Sequence, residues 1–246
     1  MVRGEHEENL LAARDLGNSS IVIDTYVHIV TNSTKLEDGW VSNQTIIDQI
    51  TVLNARFSLS QISFVLKGAT RTVNPAWAIQ PSDANDLAMR RALRKGDYKT
   101  LNLYYQTDAA SGSTLGVCYY PRAVKPGSDE FFVDGCNMQH FTLPGGRAKN
   151  YNLGITTVHE VGHWLGLMHT FQGGCEGDGD FVDDTPAEKE AGFACTVGRD
   201  SCPGREGVDP IHNYMAYTSD TCKSNFTLGQ AARMHAKWAE FRNKDL

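Results

Sequence analysis

Several common features are missing from this chain, and each absence narrows what it can be. No run approaches the ~18 apolar residues that a membrane helix needs, so no segment is expected to span a bilayer. There is no cluster of Lys or Arg, and the net charge is −6, which argues against nucleic acid or an anionic membrane as partner. Met1-Val2-Arg3-Gly4-Glu5-His6-Glu7-Glu8 is charged and lacks the apolar core of a signal peptide, so an export leader, if used, is not within these residues. None of the 6 cysteines has CxxC spacing, which weakens a thiolate-zinc or redox-dithiol reading.

What is present fits an exported globular protein. A chain of 246 residues can bury a substantial core, as one domain or two lobes about a cleft. An even cysteine count suits disulfides made in an oxidising compartment. Sequons at Asn18, Asn32, Asn43 and Asn225 agree with export as a glycoprotein. The expected location is therefore secreted, extracellular.

Residues 1–20 are polar and unpatterned and are expected to form a flexible tail. Ile21–Val30, Ile62–Leu66 and Leu101–Tyr105 are β-branched or alternating and predict strands, with Phe131–Val133 as a fourth. Ser42 is placed to cap a helix carrying Ile46, Ile47, Ile50, Leu53 and Phe57 at helical spacing. A basic helix is expected near Asn85–Lys95, a central one over Tyr151–Met168, and a last one over Leu228–Phe241. Residues 171–210 are rich in Gly, Asp and Cys, which predicts irregular chain held by crosslinks or ions. Strands and helices come first and loops later, so two subdomains are expected, 21–163 and 164–246.

The chemistry concentrates in His159-Glu160-Val161-Gly162-His163-Trp164-Leu165-Gly166-Leu167-Met168-His169. On a helix His159 and His163 lie one turn apart on one face and can share a zinc ion. Gly166 permits a sharp turn at positive φ, which brings His169 back as the third ligand. Three neutral imidazoles leave the ion its full charge and an open position for water. Glu160 is then placed as general base, taking a proton from that water and passing it to a leaving amine. HExxH alone arises by chance in roughly one chain per hundred of this length, and the added Gly and His lower that by roughly several hundred-fold.

This stretch resembles the zinc motif of the metzincin peptidases. Their Met-turn has a counterpart in His212-Asn213-Tyr214-Met215-Ala216-Tyr217. The Gly-Gly-Cys to Asp-Thr-Pro loop and the cysteine placement make the chain look closest to the pappalysin-like metzincins, the type of the secreted fungal extracellular metalloproteases and ulilysin. The resemblance implies an α/β (α+β) zincin: a twisted, mainly parallel N-terminal sheet with two helices, then an irregular, disulfide-linked subdomain with one helix. It implies a zinc endopeptidase that acts as a monomer on protein or peptide substrates bound extended in the cleft. Met215 would form an apolar floor beneath the metal, and Tyr217 would stabilise the oxyanion. Leu115–Pro121 would form the upper rim, an edge strand to which substrate adds. Asp220 and Thr221 would fall in a primed-side pocket, where an acid favours Arg or Lys.

The loop Gln172–Pro186 carries five carboxylates, a density that suits calcium, with Asp180, Asp183 and Thr185 as candidate ligands. It is not an EF-hand, since Val182 and Lys189 stand where oxygen ligands belong. Six cysteines allow fifteen pairings, and the sequence alone does not choose. With the overlapping form that the resemblance implies, the expectation is Cys118–Cys136, Cys175–Cys202 and Cys195–Cys222. Three other readings compete. A gluzincin would take Glu188 or Glu190 as third ligand, leaving His169 and the Met-turn unexplained. A non-catalytic zincin-fold binding protein would have no use for Glu160, and a zinc amidase would need a closed pocket. His6, His28, His140, His212 and His235 have no ligand spacing with the motif and are expected at the surface or in packing.

Overall fold

The structure, a computed structural model, describes residues 20–110 and 113–243. The expected N-terminal tail, with His6 and Asn18, lies outside the described residues but for Ser20.

Strand β1 (Ile21–Thr31) begins with alternation, Ile21 and Ile23 buried and Val22 exposed, and becomes buried on both faces beyond Val27. Helix α1 (Asn43–Phe57) starts where Ser42 Oγ accepts the Thr45 N–H at 3.1 Å, and it buries Ile46, Ile50, Leu53 and Phe57 while Ile47, expected with them, is exposed. Strand β2 (Ile62–Val73) follows, then α2 (Asp83–Leu93), capped by Ser82, and β3 (Leu101–Gln106). Next come the short strand β4 (Gly116–Cys118), helix α3 (Asp129–Val133) and β5 (Cys136–Gln139). Helix α4 (Ile155–Trp164) carries the histidine motif, and α5 (Leu228–Lys237) closes the chain with a π-helical turn over Trp238–Arg242.

The five strands form one sheet in the order β2-β1-β3-β5-β4. Every pairing is parallel except β4 with β5. One face packs α1 and α4 through Leu53, Phe57, Val158 and Val161. The other packs α2 through Met89 against Val30 and Tyr104. This is a mixed α/β fold in which the mainly parallel sheet is covered on both sides, as parallel sheets require. From Leu165 to Thr227 the chain has no helix and no named strand. Disulfides join Cys175 to Cys202 and Cys195 to Cys222 there, while Cys118–Cys136 links two residues paired in register on β4 and β5.

Two expectations about elements need correction. Phe131–Val133 is helical, because Ser128 Oγ accepts the Phe131 N–H and Asp129 and Glu130 occupy the first turn, where acids complement the helix dipole. The strand lies just beyond, over Cys136–Gln139, a segment without the β-branched run that marks β1. The central helix is also shorter than Tyr151–Met168. It begins after Gly154, left-handed at φ 79°, and ends at Trp164.

Behind α4 sits a buried ionic cluster. Asp134 receives Arg242 Nη2 at 2.9 Å, Arg94 Nη2 at 3.3 Å and Trp164 Nε1 at 3.2 Å. It ties the last turn of the chain and the segment after α2 to the end of the motif helix. Among the described residues, the histidines outside the motif pack or cap: His28 bonds Thr70 and Asn102, His140 faces the Gln106 carbonyl, His212 the Cys222 carbonyl and His235 the Ser60 carbonyl.

Candidate active site

Helix α4 ends in a Schellman turn. The Gly166 N–H donates to the His163 carbonyl at 2.8 Å and the Leu167 N–H to the Gly162 carbonyl at 2.9 Å. Gly166 has φ +96°, a conformation that favours glycine. The turn places two groups at once. The Leu167 carbonyl accepts His163 Nδ1–H at 2.7 Å, and two residues later His169 faces back toward the helix.

His163 Nε2 lies 3.1 Å from His159 Nε2 and 3.1 Å from His169 Nε2. His159 Nδ1 donates to the Tyr214 carbonyl at 2.8 Å. A carbonyl only accepts, so the Nδ1 protons of His159 and His163 are committed and their Nε2 lone pairs are bare. Bare lone pairs facing one another repel unless a cation lies between them. Three nitrogens at about 2.0–2.1 Å from one ion, at tetrahedral angles, would stand about 3.3–3.4 Å apart, close to the observed spacing. Burial lowers all three imidazoles, His163 to about 4 and His169 to about 3, so they are neutral and ready to ligate. The residues present fit a single divalent ion.

Glu160 is buried, at 6% exposure. Burial pushes its carboxyl up to about 8, with the Cys118 backbone N–H and the Lys223 charge pulling the other way. Strand β4 passes directly over it, since a Cβ on Gly116 would stand 2.7 Å from Glu160 Cγ. The outer edge of β4 is unpaired within the sheet. Below, Met215 packs on α4 so closely that a Cβ on Gly162 would stand 2.5 Å from its Sδ. Asn213 fixes that turn, accepting the Met215 N–H at 2.9 Å and exchanging two hydrogen bonds with Gln230 on α5.

The Tyr217 ring lies 4.9 Å from that of His169 and 5.6 Å from that of His159, half-exposed at the cleft. The Tyr120 ring also flanks the cluster, 5.3 Å from that of His163. Burial first, and then the Glu160 charge, raise both phenols. Tyr120 belongs to Leu115–Pro121, the segment expected to form the rim. Glu188 is turned elsewhere: its carboxylate takes Thr170 Oγ1 at 2.7 Å and Arg199 Nη1 at 2.6 Å, while Glu190 is exposed. The third group converging with His159 and His163 is His169. Cys195, His212 and Cys222 also cluster, but the two sulfurs are joined as a disulfide and offer no thiolate.

In the acidic loop, Asp180 Oδ2 and Thr185 Oγ1 are buried together, and the Thr185 hydroxyl partly offsets the effect of burial on the Asp180 carboxyl. Burial raises Asp180 to about 6. Asp183 is exposed and not drawn into that pair.

Residues 88–239 match the peptidase family described as pregnancy-associated plasma protein-A. The chain belongs to this pappalysin family. An extracellular metalloprotease of Neurospora crassa is 48% identical over 238 residues, covering 96% of this chain and 82% of that protein. Extracellular metalloprotease 1 of Coccidioides posadasii is 47% identical over 243 residues, with 97% and 86% covered. Mature mirolysin of Tannerella forsythia, solved in complex with a cleaved peptide, superposes with a TM-score of 0.73 at 26% identity, covering 90% of this chain and 93% of that one. The pappalysin chain described here is a metalloendopeptidase with a metzincin fold, and its family implies a catalytic metal. No helix among the described residues is long and apolar enough to cross a membrane.

Proposed function

We propose that this chain is a secreted zinc endopeptidase in which His159, His163 and His169 hold one zinc ion and Glu160 is the general base. The observation that carries the reading is the convergence of three imidazole Nε2 atoms at 3.1 Å contacts, two of them with Nδ1–H committed to carbonyls. When bound, zinc supplies Lewis-acid polarisation of the scissile carbonyl and makes water a stronger acid. Glu160 takes the proton of the attacking water and hands it to the leaving amine. Its burial under β4 keeps bulk water from competing. The Tyr217 hydroxyl donates to the oxyanion that develops on the former carbonyl. Met215 supports the histidines from below, and Gly166 sets the turn that returns His169.

The substrate lies extended in the cleft between a sheet subdomain, 21–163, and a loop subdomain, 164–246, and adds to the open edge of β4. The protein works as a monomer outside the cell, with the sequons as glycosylation sites. Removing the metal tests the reading: casein cleavage falls to background in phenanthroline and returns on adding zinc. Cleavage that persists in a chain shown to be free of zinc would contradict it.

The acidic loop is proposed to bind calcium through Asp180, Asp183 and Thr185, with the buried Asp180 and Thr185 oxygens standing together. Millimolar calcium then raises the melting temperature, and Asp180→Ala removes that rise. A melting temperature that ignores calcium would sink this site.

A further inference from the structure

The tip of Tyr217 is untied. Its carbonyl accepts the Tyr151 hydroxyl at 3.2 Å, but its own hydroxyl makes no hydrogen bond among the described residues. Ring packing alone therefore decides where that hydroxyl stands. Besides His169 and His159, two rings touch it: Phe171, edge-on with centroids 5.0 Å apart, and Phe193, tilted at 5.9 Å. Phe171 is itself fixed, stacked on His169 at 4.7 Å with 10° between the planes. Phe193 is different. It is 66% exposed, on chain without helix or strand, and Tyr217 is the one ring it meets among the described residues.

An exposed phenylalanine on irregular chain is ordinarily free to turn away, but this one lies between two anchors. Before it, the buried Glu188 carboxylate holds the Thr170 hydroxyl, between His169 and Phe171 in the chain. Arg199 clamps the same stretch, meeting Glu188 and Asp209 and donating from Nη2 to the Glu190 carbonyl at 3.1 Å. A Cβ on Gly192 would stand 2.9 Å from Arg199 Nη1, so the backbone just before Phe193 lies against that guanidinium. After it, Cys195 is crosslinked to Cys222, just beyond Tyr217. The segment carrying Cys222 is fixed in turn. The Asp220 N–H donates to the Asn150 carbonyl at 2.9 Å, Asp220 Oδ2 accepts the Leu153 N–H at 2.8 Å, and Lys223 is buried. Aromatic pairs at this spacing attract, and a ring on an anchored loop need not first be ordered to hold its neighbour.

We propose that Phe193 is a positioning residue: held between these anchors, its ring keeps Tyr217 against His169 and so keeps the free hydroxyl where the oxyanion develops. The inference rests on the peptidase reading above and on the part it gives Tyr217. It adds a residue from a loop that the histidine motif and the Met-turn do not reach.

The test measures kcat and KM on one peptide for the zinc-loaded wild type, Phe193→Ala, Phe193→Tyr, Tyr217→Phe and the double variant Phe193→Ala/Tyr217→Phe. Phe193→Ala lowers kcat about three- to ten-fold, the worth of one aromatic pair, while KM and bound zinc are unchanged. Phe193→Tyr keeps the ring and stays near the wild type. Tyr217→Phe lowers kcat by more, about 10²-fold, and in that background Phe193→Ala costs nothing further, because no hydroxyl remains to be positioned. A ring that instead touched the substrate would raise KM when removed, and its loss would persist beside Tyr217→Phe. Either of those results, an unchanged kcat in Phe193→Ala, or a Phe193→Tyr chain as slow as Phe193→Ala would overturn the proposal. A Phe193→Ala chain that no longer holds zinc overturns it too, by making the loop part of the metal site. Tyr217→Phe at the wild-type rate strikes Tyr217 from the mechanism and leaves Phe193 nothing to position. No cleavage of any peptide by the zinc-loaded wild type is a separate result, which removes the peptidase reading itself.

Discussion

Replacing Glu160 by Gln lowers kcat/KM on peptides by about 10²–10⁴-fold while one zinc per chain is retained. The amide has nearly the shape of the carboxylate but cannot accept the proton of water. His159 and His163 lose no hydrogen bond, because their Nδ1 partners are the Tyr214 and Leu167 carbonyls and not Glu160. Metal content and cleavage are read on the same sample. A Gln variant with more than a tenth of wild-type activity would remove Glu160 from the mechanism. A variant that has lost its zinc would show instead that Glu160 holds the site together.

The second large effect is on stability. Asp134→Ala leaves Arg94 and Arg242 as buried cations without their carboxylate and Trp164 Nε1 without its acceptor. Removing one partner of a buried pair costs about 3–5 kcal/mol. For a chain of this size that lowers the melting temperature by about 10 °C. In urea the midpoint falls with the slope unchanged. Asp134→Asn costs less, because it still accepts from Trp164. Since Arg242 also donates to the Trp164 carbonyl at 2.9 Å, the loss loosens the C-terminal turn against the end of the motif helix. A drop under about 1 kcal/mol for Asp134→Ala would mean that the cluster is already hydrated in the folded state.

The sequence made the motif helix and its turn readable because both rest on local rules. Helical spacing puts His159 and His163 on one face, and a glycine is needed where φ reaches +96°. β1 and β2 were readable from their β-branched runs, and α1 from its Ser42 cap. Phe131-Phe132-Val133 misled because three apolar residues cannot distinguish a period of 2 from one of 3.6. The Ser128 cap and the two acids after it were the better signal. β5 was missed because Cys136-Asn137-Met138-Gln139 is stabilised by its neighbours on either side, β3 and β4, and not by its own propensity. The burial of Lys223 and the inward turn of Asp220 left no trace in the sequence. Both depend on how the loops after Met215 fold back onto the segment before α4, and that packing has no periodicity to read.

Zinc stoichiometry and proteolysis, measured together, test the central claim most directly. The chain is stripped with phenanthroline, dialysed, and titrated with zinc while peptide cleavage and bound metal are followed on each sample. In the wild type, activity rises in proportion to zinc and is complete at one equivalent per chain. In His169→Ala the first equivalent is not retained and no activity returns. Full activity at zero bound zinc, or a His169→Ala chain that binds zinc and cleaves peptides like the wild type, would contradict the account.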